Sequence, residues 1–338
     1  MKALYIDEPL AARLGEASEP KLGNGEVLLE IRVIGFCGTD LNTFRGKNPL
    51  VSYPRIPGHE IAATILEVGS GVPAELSIGR NVAVLPYNNC GVCASCRRGR
   101  PNACLNNKTL GVQQDGALST LFAVPWQKLY PADRLGLREL ALVEPLAVGF
   151  HAVQRGRVEA RDAVAVVGCG TVGLSAIAAA SARGATVIAI DLDDPKLGLA
   201  RMAGAAYTIN SRTQNAAALL KELTGGHGPD VVVEAVGTPE TFRFAVEEVA
   251  YTGRVVYVGY AKEPVAYETR LFILKELDIL GARNSATEFP SVIEMLEAGR
   301  FPVEAAISKT VPLAEAAEAL EAWNAAPQAF TKIHVQVS

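Results

Sequence analysis

Between residues 160 and 283 the chain alternates short runs of Val and Ile with stretches in which Ala and Leu recur at helical spacing. The apolar runs are AVAVVG, TVIAID, YTIN, DVVVEAVG, RVVYVG and DILGAR, and the stretches between them include TVGLSAIAAASARG, NAAALLKELTGG and PETFRFAVEEVAYTG. Strands that are apolar without interruption and alternate with helices belong to a parallel sheet covered on both faces. The pattern predicts an α/β fold class with a doubly wound domain of six strands.

The first 145 residues have another rhythm. Gly, Pro and Asn break short strand runs such as EVLLEIRVIG, EIAATILEVGSG and NVAVLP, and few long helical periods occur. This predicts a mostly β domain with irregular loops. In the tail, helices are expected at FPSVIEMLEAG and LAEAAEALEAWNAA and a closing strand at TKIHVQVS.

The length of 338 residues suits two domains with substantial cores. A net charge of −4 gives no general attraction to phosphate backbones or anionic lipids, so neither nucleic acid nor a membrane is an expected partner. Residues 163–182 are uncharged and long enough to span a bilayer, but clustered Gly and a change from Val-rich to Ala-rich character read better as strand, turn and helix. The start of the chain lacks the apolar core of a signal peptide, so a cytoplasmic location is expected. In that reducing compartment, a cysteine cluster points to metal rather than disulfides.

The motif GCGTVG, residues 168–173, follows the first α/β strand and opens its helix, and an acidic residue closes the second strand. That context makes it a dinucleotide fingerprint. Gly168 allows the tight turn, Gly170 lets a pyrophosphate approach the helix start beside Thr171 and Val172, and Gly173 allows close helix–strand packing. Asp191 can accept from ribose hydroxyls, and its charge opposes a 2′-phosphate, which favours NAD over NADP. Lys196 is a minor expected contact, and Ala235 and Val258, in the fourth and fifth strand runs, complete the expected cofactor-binding set. Cys169, inside the glycine turn, fills space beside the cofactor.

Cys90, Cys93, Cys96 and Cys104 offer four thiolates from one compact lobe. Such a set saturates a tetrahedral structural zinc and leaves no position for substrate. An iron–sulfur cluster uses similar spacings, but nothing else in the chain calls for electron transfer. Cys37 in GFCGTDLN stands apart, and His59 and Glu60 follow in PGHE. If the fold brings them together they suit a catalytic zinc with an open position. Glu144 lies in an apolar run, where a metal or its water would offset the cost of burying a carboxylate. His151, His227 and His334 have no ligand spacing and read as structural or surface residues.

Taken in order, FCGTD, PGHE, CGVCASCRRGRPNAC, LVEPLAVGFHA and VVGCGTVG resemble the zinc-dependent medium-chain dehydrogenase/reductase family across essentially the whole chain. The resemblance implies a GroES-like catalytic domain over 1–147 and 285–338, with a Rossmann domain over 148–284. Glu144 and the Pro after it are similar to the sorbitol dehydrogenase branch, which implies Cys37, His59 and Glu60 as ligands and Glu144 either on the metal or on its water. FRGKNPLVSYPRIPGHE and KELDILGARNSATEFP further resemble bacterial sugar-acid members such as L-galactonate dehydrogenase.

The same resemblance implies that Thr39 places a hydroxyl beside the substrate oxygen, that Asp40 orients His59, and that Arg283 and Asn284 contact substrate. Where many relatives carry a proton-relaying His, this chain has Asn42, which exchanges no proton at neutral pH, so the proton leaves by Thr39, the ribose and water, or by Glu144 or Glu60. The expected enzyme is an NAD-dependent zinc alcohol dehydrogenase acting on a polyol or sugar acid, with two zinc ions per chain and a homo-dimeric or homo-tetrameric assembly. An L-threonine 3-dehydrogenase specificity is the alternative within the chemistry. A zinc-ribbon nucleic-acid module or a non-catalytic NAD- and zinc-binding protein is the alternative outside it.

Overall fold

The computed structural model describes residues 1–338, which form two compact units. One unit comprises Met1–Glu144, Phe289–Ala298 and Val303–Ser338; the other comprises Pro145–Glu288 and Gly299–Pro302.

The second unit contains the six strands read from the apolar runs. They lie side by side in the order Tyr207–Asn210, Thr186–Asp191, Ala163–Val167, Val231–Glu234, Arg254–Tyr257 and Asp278–Gly281, all parallel. Sequence order reverses beside Ala163–Val167, the place where a doubly wound sheet binds its ligand. Val164, Val166, Val187, Val231, Val232 and Val233 are fully buried. Burying each such side chain contributes roughly 1.5–3 kcal/mol, which is why these strands tolerate no polar alternation.

The first unit is built on a seven-stranded sheet. Its path runs Lys309–Pro312, Ile333–Gln336, Glu26–Phe36, Glu60–Val68, Asn81–Val84 and Leu129–Pro131, and Leu121–Pro125 also pairs with Glu26–Phe36. Burial alternates from Glu26 to Arg32 and becomes continuous from Val33 to Phe36, as the strand passes into the interior. The expected helices in the tail form at Phe289–Glu297 and Ala316–Ala325, and the closing strand at Ile333–Gln336. A hairpin of Lys2–Glu8 and Ala11–Glu16 was not legible, because charges interrupt both short runs.

One reading of the first 145 residues needs correction. A helix of 19 residues, Leu137–Arg155, starts within the region expected to lack long helical periods. Its residues 140–147 are all buried, so no polar face marks the helical period, and Pro145 inside it reads as a breaker. The chain passes between the units in mid-helix, at Glu144–Pro145, and again at Glu288–Phe289. No helix is long and apolar enough to cross a membrane: residues 163–182 form the strand Ala163–Val167, a glycine turn and the helix Thr171–Ala182.

Candidate active site and cofactor site

In the first unit, the strand Glu26–Phe36 delivers Cys37 to the start of the helix Gly38–Phe44. Asp40 Oδ2 accepts the Cys37 backbone N–H at 2.9 Å, which fixes the thiol-bearing residue at the helix entrance. The neighbouring strand begins at Glu60 and is preceded by His59. Its antiparallel register sets Glu60 opposite Gly35. A Cβ on Gly35 would lie 2.0 Å from Glu60 Oε2, so only glycine leaves room for that carboxylate. The ligand atoms of Cys37, His59 and Glu60 all lie within 4.8 Å of one another.

A fourth participant comes from the far end of the chain. Lys332 Nζ donates to both carboxylate oxygens of Glu60 at 2.6 Å and to the Phe36 carbonyl at 3.1 Å. The Lys332 and Glu60 side chains are 4% and 0% exposed. Burial alone would lower the lysine pKa, but Glu60 above all, and Cys37 after it, raise it. Sequence reasoning missed Lys332, since a single Lys before a strand carries no signal until strand pairing sets Ile333 opposite Phe36.

Glu144 lies outside the 4.8 Å group. It is buried on the helix Leu137–Arg155, and Tyr87 donates its hydroxyl to Oε1. Burial pushes the Glu144 carboxyl up to about 7, with His59 and the Tyr87 bond opposing that rise. Tyr87 is a second residue that sequence reasoning passed over. Asp40 Oδ1 and His59 Nδ1 face each other at 3.8 Å, beyond hydrogen-bond length, because Asp40 turns its other oxygen to Cys37. Burial alone would lower the His59 pKa, yet Asp40, Cys37 and Glu144 hold it well above the ordinary value. One carboxylate, a thiol and an imidazole gathered beside two orphaned buried polar atoms, Asp40 Oδ1 and His59 Nδ1, suit a divalent cation. Thr39 and Asn42 are half-buried on the same short helix.

Cys90, Cys93, Cys96 and Cys104 converge in a separate lobe of this unit. Sulfur–sulfur distances are 3.5 Å for Cys93–Cys96, 3.6 Å for Cys90–Cys104 and 3.8 Å for Cys93–Cys104. A tetrahedron with metal–sulfur bonds near 2.3 Å has edges of about 3.8 Å, so the thiols match a four-sulfur zinc. The Ser95 hydroxyl, followed by the backbone N–H groups of Cys96 and Leu105, lowers Cys93 to about 5 and favours its thiolate.

In the second unit Gly168 has φ 94°, and a Cβ on Gly173 would lie 1.8 Å from the Gly168 carbonyl. Both positions therefore require glycine. Gly170, at the start of the helix Thr171–Ala182, has nothing within 4 Å of its missing Cβ, which leaves the approach to the helix N-terminus open. Asp191 Oδ2 accepts the Cys169 N–H at 2.7 Å, and Oδ1 accepts those of Leu192 and Asp193 at 2.7 and 3.1 Å. This ties the end of the second strand to the glycine turn. Thr171, Val172, Lys196, Ala235 and Val258 are half-buried, with Ala235 and Val258 just beyond the fourth and fifth strands. Cys169 is fully buried.

Of the remaining histidines, His227 is exposed, His334 is fully buried with neither ring nitrogen partnered, and His151 donates from Nδ1 to Glu288 Oε1 at 2.8 Å. Arg283 and Asn284 are half-buried beyond the sixth strand.

Comparison with known proteins shows the family of the chain. Residues 23–134 match the alcohol dehydrogenase GroES-like domain, and 171–298 match the zinc-binding dehydrogenase domain. L-galactonate-5-dehydrogenase of Escherichia coli K12 is 32% identical over 95% of this chain and 94% of its own length. Sorbitol dehydrogenase of Bacillus subtilis is 32% identical over 95% of this chain and 93% of its own. A solved short chain alcohol dehydrogenase of Escherichia coli CFT073, complexed with NADH, superposes with a TM-score of 0.92 at 29% identity, covering 100% of this chain and 99% of its own. With a GroES-like unit, a Rossmann unit and metal-competent thiol clusters, the chain belongs to the sorbitol-like branch of the zinc-dependent medium-chain dehydrogenases, as an alcohol dehydrogenase that uses zinc and NAD.

Proposed function

We propose that the enzyme oxidises a secondary alcohol of a polyol or sugar acid, of the L-galactonate or sorbitol type, to the ketone, passing hydride to NAD and releasing one proton. The observation that carries this reading is the convergence of Cys37, His59 and Glu60 in a buried group that contains none of the four lobe cysteines. In this reading Cys90, Cys93, Cys96 and Cys104 hold a structural zinc, and Cys37, His59 and Glu60 hold the catalytic one. Bound there, zinc lowers the pKa of an alcohol hydroxyl and, in reverse, polarises the ketone.

The chain's own groups do the rest. Lys332 offsets the charge of Glu60 and fixes its carboxylate. Glu144, a buried carboxylate that interacts with His59 and Glu60, is suited to take the alcohol proton, and Tyr87 keeps it oriented. Thr39 offers a hydroxyl to the substrate oxygen, a role Asn42 cannot extend by exchanging a proton. Gly168, Gly170, Thr171, Val172 and Gly173 receive the pyrophosphate; Asp191 takes the adenosine ribose and disfavours a 2′-phosphate, with Lys196, Ala235 and Val258 as further cofactor contacts. Arg283 and Asn284 contact the substrate, an Arg being suited to a carboxylate.

The assembly fits a homo-dimer or homo-tetramer. The edge strand Asp278–Gly281 has one side unpaired, and Ile273, Leu274 and Ile279 nearby are 84%, 55% and 41% exposed. Six free cysteines suit the reducing cytoplasm. The test is a panel of polyols, aldonates and amino alcohols with NAD and with NADP, read by absorbance of the reduced cofactor. Turnover of a polyol or aldonate with NAD is expected. Activity on L-threonine alone would replace the substrate assignment, and inertness towards every secondary alcohol would refute the reading.

A further inference from the structure

The segment that leaves the last strand of the second unit, residues 282–288, is shaped by a carboxylate at its own end. Glu288 Oε2 accepts the N–H groups of Ala286 at 2.5 Å and Thr287 at 2.8 Å, while Oε1 accepts from His151 Nδ1 at 2.8 Å. The His151 and Glu288 side chains are 7% and 5% exposed. Burial alone would raise the Glu288 carboxyl, but the His151 bond and the two backbone N–H groups outweigh it and hold the group below its ordinary value. Both oxygens of a buried carboxylate are thereby engaged, one by a helix and one by the segment itself. Charge-assisted bonds of this kind are the stronger class, and an acceptor of this charge is costly to leave unpaired.

Asn284 sits at φ 55°, in the left-handed region that Asn enters more readily than most residues other than glycine. Its Nδ2 is buried without a partner, as is Oγ of Ser285, which is 2% exposed. One polar atom in each of Asn284 and Ser285 is thus unpartnered, and a fixed point of the segment lies at Glu288 and His151.

We propose that His151 and Glu288 form a positioning pair that sets the conformation of residues 283–288 and thereby the aim of Arg283 and Asn284 at the alcohol substrate. The pair rests on the substrate-contact reading given above and adds to it the residues that make those contacts selective. His151 grips the segment from the helix Leu137–Arg155, 137 positions away in sequence, so a change at His151 reaches substrate selectivity without altering any substrate-contacting side chain.

The experiment compares the zinc- and NAD-loaded wild type with His151→Ala, His151→Gln and Glu288→Gln. Hydrogen exchange of the peptide spanning 282–290 is read alongside steady-state kinetics with sorbitol and L-galactonate as probes. In His151→Ala, exchange of the Ala286 and Thr287 amides is expected to speed up about tenfold and KM for the alcohol to rise about tenfold, while KM for NAD stays within about twofold. His151→Gln, which keeps an N–H donor, recovers most of both effects. Glu288→Gln, close in shape to the native side chain, gives the same pattern if His151→Ala folds poorly. Unchanged exchange in these amides overturns the pair whatever the activity. A uniform fall in kcat with both KM values unchanged also overturns it, by assigning the residues to general stability. A wild type inert towards every secondary alcohol would instead sink the substrate reading, with the exchange data still deciding whether the pair orders the segment.

Discussion

Four cysteines between Cys90 and Cys104 meet through local turns, whereas Cys37 meets His59, Glu60 and Lys332 because three strands distant in sequence run side by side. In the lobe, Cys90, Cys93 and Cys96 are only half-buried; nearby N–H and O–H groups favour the thiolates of Cys90 and Cys93, while burial and the neighbouring thiols push Cys96 up to about 11. In the Cys37 group, His59, Glu60 and Lys332 are almost fully buried, and their charges are balanced against one another. The lobe is therefore built from one short stretch of chain, while the buried group is inseparable from the sheet that carries it. The difference teaches that spacing reveals a site only when the site is local.

Removing the lobe's metal should give the largest effect. Binding free energies for structural zinc reach roughly 10 kcal/mol or more, so Cys93→Ser with Cys104→Ser should lose one zinc per chain and lower Tm by well over about 10 °C, read by elemental analysis and calorimetry. Cys37→Ser should break the comparison the other way. It should also lose one zinc, with activity down at least about a thousandfold because several kcal/mol of charge stabilisation disappear, but with Tm changed by only a few degrees. If the two variants exchange phenotypes, the roles assigned to the clusters are reversed.

Lys332→Ala leaves the buried Glu60 carboxylate without its cation and should cost about 3 kcal/mol in denaturant unfolding. A loss no larger than for an exposed pair such as Arg138–Glu304 would show that the buried charge is compensated in another way. The smallest effect concerns pH. Burial above all, with Lys332 and Arg138 nearby, lowers His334 from 6.5 to about 3. For a base whose folded pKa is depressed, the stabilisation is complete above the unfolded value near 6.5 and is lost as pH falls towards 3. Between pH 6.5 and 5, the wild type should lose about 2 kcal/mol that His334→Leu retains, visible in the urea midpoint.

The parallel sheet was legible because each of its strands is buried on both faces and therefore writes an uninterrupted apolar run. The helix Leu137–Arg155 was not, because burial all round its middle erased the amphipathic signal on which helix recognition depends. Cys37, His59 and Glu60 could be named individually, but their meeting depended on a register that sets Gly35 opposite Glu60. Tyr87, Lys332 and the His151–Glu288 pair left no trace in spacing, since their partners are 57, 272 and 137 positions away.

By itself the sequence determined the six-stranded unit, the glycine turn with Asp191, and the four-cysteine lobe, because each is written in residues that are neighbours along the chain. Only the tertiary structure decided which charge answers Glu60, which hydroxyl holds Glu144 and what orders residues 283–288. The physical reason is that a buried charge must be satisfied by whatever group the packing brings within about 3 Å, and strand pairing, not chain proximity, chooses that group.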